Sequence, residues 1–156
     1  MKILYFKIIA FLSNLYSLPL LVIRLILAYG FFNPAKMKLS NMPDIISWFA
    51  SMDIPFPALN AYLAAYSEAL GVALLLLGLG TRLISIPLIV DMWVAIVKVH
   101  GANGFEASNN GFEIPLYYMI MLFALFIMGP GKASVDYILF RKLNTDNNLY
   151  KSIMYK

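Results

Sequence analysis

The sequence predicts an all-α membrane protein: four transmembrane helices in an antiparallel bundle, with short interfacial amphipathic helices beside them. Composition is the first observation. Of 156 residues, 62% are hydrophobic and 13% charged, whereas soluble domains run at roughly half apolar and a quarter charged. Mean hydropathy, at +0.77, agrees. The third observation is patterning: long apolar runs alternate with short polar connections, and Lys and Arg gather at the ends of the runs. That placement is a membrane orientation signal, so the net charge of +4 does not point to nucleic acid. The length suits one domain over residues 1–156. With no cysteine, the chain has no disulfide, thiol nucleophile or thiolate metal site of its own.

Residues 3–32 are mostly apolar. A single helix of that length would reach about 45 Å, more than a hydrocarbon core of ~30 Å. Pro19 offers a break, so an interfacial helix is expected at about 2–16 and a first span at about 18–34. Lys7 interrupts the apolar run and no small-residue cleavage site follows, so the segment reads as retained rather than as a signal peptide. In the next connection Ile45, Trp48, Phe49 and Met52 recur at helical spacing. They predict an amphipathic interfacial helix with Asn41 or Met42 as N-cap and Pro43 near its first turn.

The second span is expected at 58–79. "GLGTR" then allows only a tight helical hairpin into a third span at 82–99. Asn110 and Glu113, three apart, read as a capping box for a fourth span at 112–128, which "GPG" stops. Ser134 is expected to open a short basic amphipathic helix to Lys142, within a basic tail at 131–156. Lys2, Lys7, Arg82, Lys132, Arg141, Lys142, Lys151 and Lys156 fall on one side, against Lys36, Lys38 and Lys98 on the other. The first side should be cytoplasmic, which puts both termini in the cytoplasm and the two long connections outside.

Three charges lie near mid-span: Arg24, Glu68 and Asp91. Each costs roughly 2.5–3.5 kcal/mol at a bilayer centre on insertion scales. The simplest arrangement is a buried cluster in which Arg24 bridges both carboxylates. A polar track would lead outward from it through Lys98 and His100 to Glu113, with Tyr29, Tyr62 and Tyr66 as hydrogen-bond donors nearby. Glu68, Asp91 and Arg24 are the candidate catalytic or proton-relay residues. Lys98, His100, Glu113 and Tyr66 are the candidates for binding a headgroup. The same charges could serve only to fix helix register, and the residues leave both readings open. A single histidine without cysteine argues against a dedicated metal site, although His100, Glu106 and Glu113 could make an open three-ligand set. "GPGKAS" lacks the first glycine of a phosphate loop, because Phe126 stands there. Gly71, Gly78 and Gly80 read as close helix packing.

The order of these features resembles the DoxX family of small membrane proteins. "RLILAYGFFNPAKMK" at 24–38 is similar to the family's first-span pattern, with Asn33 where many members have Gly. "SEALGVALLLLGLGTR" at 67–82 is similar to its second-span signature, and "DMWVAIVKVHGANGF" at 91–105 continues it. The block from Gly111 to Leu139 carries Glu113, Pro115, Gly-Pro-Gly and Ser134-x-Asp136, so the resemblance runs over residues 20–140. It implies a bacterial inner-membrane protein that serves a redox system, quinone- or proton-linked and related to sulfur compounds or metal-binding peptides. A redox enzyme would be its partner and quinone its cofactor candidate; whether this chain is itself an oxidoreductase stays open. Two other classes remain: a non-catalytic scaffold that docks a partner protein, and a small ion or solute transporter built as a homo-oligomer.

Overall fold

A computed structural model describes residues 2–143. Among the described residues seven α-helices follow in chain order: α1 (Lys2–Asn14), α2 (Ser17–Ser40), α3 (Met42–Ser51), α4 (Pro57–Leu77), α5 (Thr81–Val94), α6 (Glu113–Met128) and α7 (Val135–Leu143). Among the described residues there is no strand. Three helical segments of the described residues are long and apolar enough to cross a membrane: Ser17–Ser40, Pro57–Leu77 and Thr81–Asn103. The third is α5 carried on through a π-helical turn, Ala95–His100, and a 3-10 turn, Gly101–Asn103. The apolar helix α6 has 16 residues. The tail beyond Leu143, with Lys151 and Lys156, lies outside the described residues.

The largest departure from the sequence reading is the end of the first span. α2 does not stop at Pro34 but runs on to Ser40. Pro34 removes one backbone donor, to the carbonyl of Gly30, but the helix closes its other bonds on either side. Arg24, Ala28, Phe31, Ala35 and Lys38 therefore recur at alternating four- and three-residue steps. They form one face, with Arg24, Ala28, Phe31 and Ala35 fully buried. α2 packs most extensively on α4, α5 on α6, and α4 on α5. The main core joins Leu20, Leu27, Ala28 and Phe31 of α2 to Leu75, Ile84, Leu88, Leu122 and Leu125. In a second cluster Met42, Ile45 and Phe49 of α3 pack on Ala61, Ala64 and Ala65 of α4. Trp48, on the expected apolar face of α3, stays partly exposed.

Small residues set the helix spacing. A Cβ at Gly71 would come within 2.8 Å of the Leu88 side chain, so Leu88 of α5 packs directly on the α4 backbone there. At the end of α4, Gly78 takes a left-handed φ of 65°. The Gly78 and Leu79 amides donate back to Leu75 and Leu74, which closes a Schellman cap and reverses the chain into α5.

The expected capping box at α6 does not form. Asn110 is left-handed, Phe112 caps the helix, and Glu113 is its first residue. The Glu113 carboxylate instead accepts the Ala107 amide (3.0 Å) and the Tyr117 hydroxyl (3.1 Å). It holds the 3-10 turn Ala107–Asn109 against the start of α6. The expected start of the last helix does form: Ser134 Oγ accepts the Tyr137 amide just before Val135.

Candidate functional site

The three mid-span charges do not form one cluster. Arg24, 1% exposed, makes no ion pair among the described residues. Its guanidinium donates to four backbone carbonyls: Nε to Leu75 (2.8 Å), Nη2 to Leu76 (2.9 Å), and Nη1 to Pro130 (2.9 Å) and Ala133 (2.8 Å). Leu75 and Leu76 lie two turns along α4 from Glu68, roughly 11 Å at the helical rise. Arg24 thus supplies a donor to the Leu76 carbonyl and adds one to the Leu75 carbonyl, which also accepts the Gly78 amide, at the negative end of α4. It also fastens the loop 129–134 to α4. A Cβ at Gly78 would lie 2.6 Å from both Arg24 Cζ and Ser134 Cβ, so only glycine fits this junction. Asp136 completes it. Its carboxylate accepts the Gly80 and Thr81 amides at the start of α5, and its own amide donates to the Gly78 carbonyl. The motifs "GLGT", "GPG" and Ser134-x-Asp136 therefore meet in one structural junction around Arg24.

Glu68 finds a different cation. Lys38, from the last turns of α2, places Nζ 2.7 Å from both Glu68 oxygens. The side chains are 12% and 4% exposed, and this is the only salt bridge among the described residues. The pairing follows from the extra length of α2 beyond Pro34. It also follows from the backward tilt of helical side chains, which aims Lys38 toward the preceding turn. One residue away on α4, Ser67 Oγ donates to Asp91 Oδ2 at 2.6 Å, tying α4 to α5. Among the described residues Asp91 Oδ1 accepts no hydrogen bond. The lysine ammonium has three N–H groups, so contact with the two Glu68 oxygens leaves it one to offer.

These four side chains sit in the wall of a cleft of about 880 Å³ enclosed by α2 to α6. Its apolar lining includes Phe31, Trp48, Phe49, Pro87, Trp93 and Tyr118. Both tryptophans of the chain line it. Lys98 and His100 stand at one end, each already engaged: Lys98 Nζ donates to the Met52 carbonyl (3.1 Å), and His100 Nδ1 is 2.8 Å from the Asn110 carbonyl oxygen. They bind the π-helical turn to α3 and to the following loop. π-Helical turns recur at functional sites, and this one lines the cleft.

Of the candidates read from the sequence, Glu68, Asp91, Lys98 and His100 line this cleft, and Arg24, Glu113 and Tyr66 do not. Tyr66 is 56% exposed and stacks on Tyr62 along the outer side of α4, and Tyr29 also faces outward. The polar track is therefore shorter than expected and lacks both ends. Lys38, Ser67 and Tyr118 were missed. Lys38 lies two heptads after Arg24 on the same helical face, a signal legible once the first helix is extended beyond 34 to Ser40.

Comparison with known proteins places the chain. The DoxX family model matches residues 19–101, just over half of it. A protein of Haemophilus influenzae described as uncharacterized is 31% identical over 128 residues, covering 77% of this chain and 82% of the relative. No solved structure matches. The chain belongs to the DoxX family. It is a membrane protein whose apolar helices contact the lipid bilayer. The matched residues include the Lys38–Glu68 pair and the Ser67–Asp91 pair, while the block from Gly111 to Leu139 lies beyond them.

Proposed function

We propose that this chain is a membrane subunit of a redox system and holds the headgroup of a quinone or quinol in the cleft. The observation that carries the reading is the juxtaposition of Lys38–Glu68 and Ser67–Asp91 in the wall of an otherwise apolar cleft of about 880 Å³. Small-molecule sites of roughly 300–1,000 Å³ with few, placed polar groups are the usual form. A ring with its first tail units fits that volume and lining. One free ammonium N–H on Lys38 and one free oxygen on Asp91 suit a phenolic hydroxyl, which accepts and donates at the same atom. When bound, a quinol supplies two electrons and two protons. The carboxylates of Asp91 and Glu68 are the groups of this chain that would hold the protons. With no cysteine and one histidine, the electrons would pass to a partner protein.

In this reading α6 completes a four-helix antiparallel bundle in a bacterial inner membrane, with both termini cytoplasmic. Sixteen residues of α6 reach about 24 Å, short of a ~30 Å core. The bilayer would thin locally beside it. Arg24, Glu113 and Tyr66 have structural or outward-facing positions here, and the reading does not use them.

The test uses purified protein in detergent and a short-tailed quinone analogue, read by tryptophan emission. Saturable quenching is expected, with at least about a tenfold loss of affinity (1.4 kcal/mol) in Asp91→Asn. Quenching that rises linearly with quinone and is equal in the variant would refute the reading.

A further inference from the structure

Beside the main cleft lies a second groove of about 580 Å³, lined by Ile26 of α2 and by Ile114, Tyr117, Tyr118, Ile120 and Met121 of α6. Ile26, Ile114, Tyr117 and Ile120 are exposed apolar side chains, and in a membrane they face lipid. The two cavities share Ile114 and Tyr118. Tyr118 therefore stands between the lipid-facing groove and the cleft. Its ring packs on Phe31 at 5.6 Å between centroids. Its hydroxyl presses on Gly30, where any Cβ would overlap it. Gly30 is not needed there for a turn, since it lies within α2 with helical backbone. Its missing side chain is what lets Tyr118 lie across the gap between α2 and α6. One turn later, Pro34 has no N–H for the Gly30 carbonyl, which weakens the helix at that level.

We infer that the gap between α2 and α6, closed by Tyr118 against Gly30, is the port through which the hydrocarbon tail of a lipid-soluble ligand passes from the bilayer into the cleft. The ligand's headgroup class rests on the function proposed above; the port itself does not. The groove is continuous with the cleft through two shared residues, is mostly apolar, and opens toward acyl chains. A tailed amphiphile could then keep its tail in the groove while its headgroup reaches Lys38 and Asp91.

The absence of cysteine makes a direct test available. Ala64, buried in the cleft wall, is changed to cysteine in protein reconstituted in lipid vesicles. Its labelling rate is measured with a maleimide on a long acyl chain and with a small water-soluble thiol reagent. Gly30→Ala, which displaces the Tyr118 ring while keeping a good helix former, and Tyr118→Ala are then added separately. A closed port that opens about 0.1–10% of the time predicts a rise of about tenfold or more in the acyl-maleimide rate in both variants. The water-soluble reagent should change less than about twofold. An unchanged acyl-maleimide rate, no acyl-maleimide labelling at all, or equal acceleration of both reagents would each overturn the port. The readout needs no quinone. Failed quinone titration with port behaviour intact would refute the ligand and leave the port standing.

Discussion

Replacing both members of the Lys38–Glu68 pair separates its contribution to folding from its contribution to binding. The two side chains are 12% and 4% exposed and meet through two 2.7 Å contacts. Removing one partner of such a pair leaves an uncompensated buried charge, at a cost of about 3–5 kcal/mol. Glu68→Leu and Lys38→Met should therefore each destabilise the chain by that amount. For a protein of this size the loss lowers the unfolding midpoint by about 6–20 °C. Replacing both partners by apolar residues of similar volume, Lys38→Met with Glu68→Leu, removes the charges together. Such exchanges are neutral or stabilising by about 1–4 kcal/mol, so the double variant should return to the native midpoint or exceed it. Thermal unfolding in detergent, followed by tryptophan emission and far-ultraviolet circular dichroism, measures all four proteins. The double variant, folded but without polar anchor, should lose saturable quinone quenching. Two results would refute the reasoning. A double variant destabilised by the sum of the singles would mean that the pair is not a coupled buried unit. A stable double variant that binds the analogue as tightly as the native chain would place the headgroup elsewhere.

Other substitutions test the junction around Arg24. Arg24→Met removes four charge-assisted hydrogen bonds and leaves the Leu76, Pro130 and Ala133 carbonyls without this donor. At about 1–3 kcal/mol per unsatisfied group, the loss of stability should exceed that of Glu68→Leu, while Arg24→Lys recovers part of it; thermal unfolding decides. Asp136→Ala should cost about 1–2 kcal/mol through the lost cap on α5, again measured by unfolding and without change in quinone affinity of the folded fraction. Gly78→Ala combines a left-handed φ with overlap onto Arg24 and Ser134, so it should abolish accumulation of folded protein, seen by size-exclusion chromatography. Tyr66→Phe, on the outer side of α4, should leave both stability and binding unchanged in the same assays.

The membrane class and most helix positions were legible in the sequence because hydropathy is a local property that sums along the chain. The hairpin at Gly78–Gly80 was legible because so short a connection leaves one geometry. The motifs around Glu68, Gly78 and Arg82 were enough to resemble the family to which the chain belongs. The partners of the charges were not legible in the same way. Matching depth suggested that Arg24 would meet Glu68 and Asp91, yet depth counted from expected span ends carries the error of those ends. A first span expected at about 18–34 leaves Lys38 outside the first helix. In the fold α2 passes through Pro34, and its buried face carries one cation at each end.

What the sequence alone determined is the solvent this protein folds in, the order of its helices and the residues that must find partners. What only the tertiary structure decided is which partner each one finds. Arg24 lies beside the carbonyls that end α4, where a planar guanidinium satisfies several acceptors at once. Lys38 lies over Glu68, where a compact ammonium can neutralise a buried carboxylate and still present one donor to the cleft. The physical reason is reach: a flexible cationic side chain spans more than a helical turn, so its partner is set by helix packing and register rather than by position along the chain.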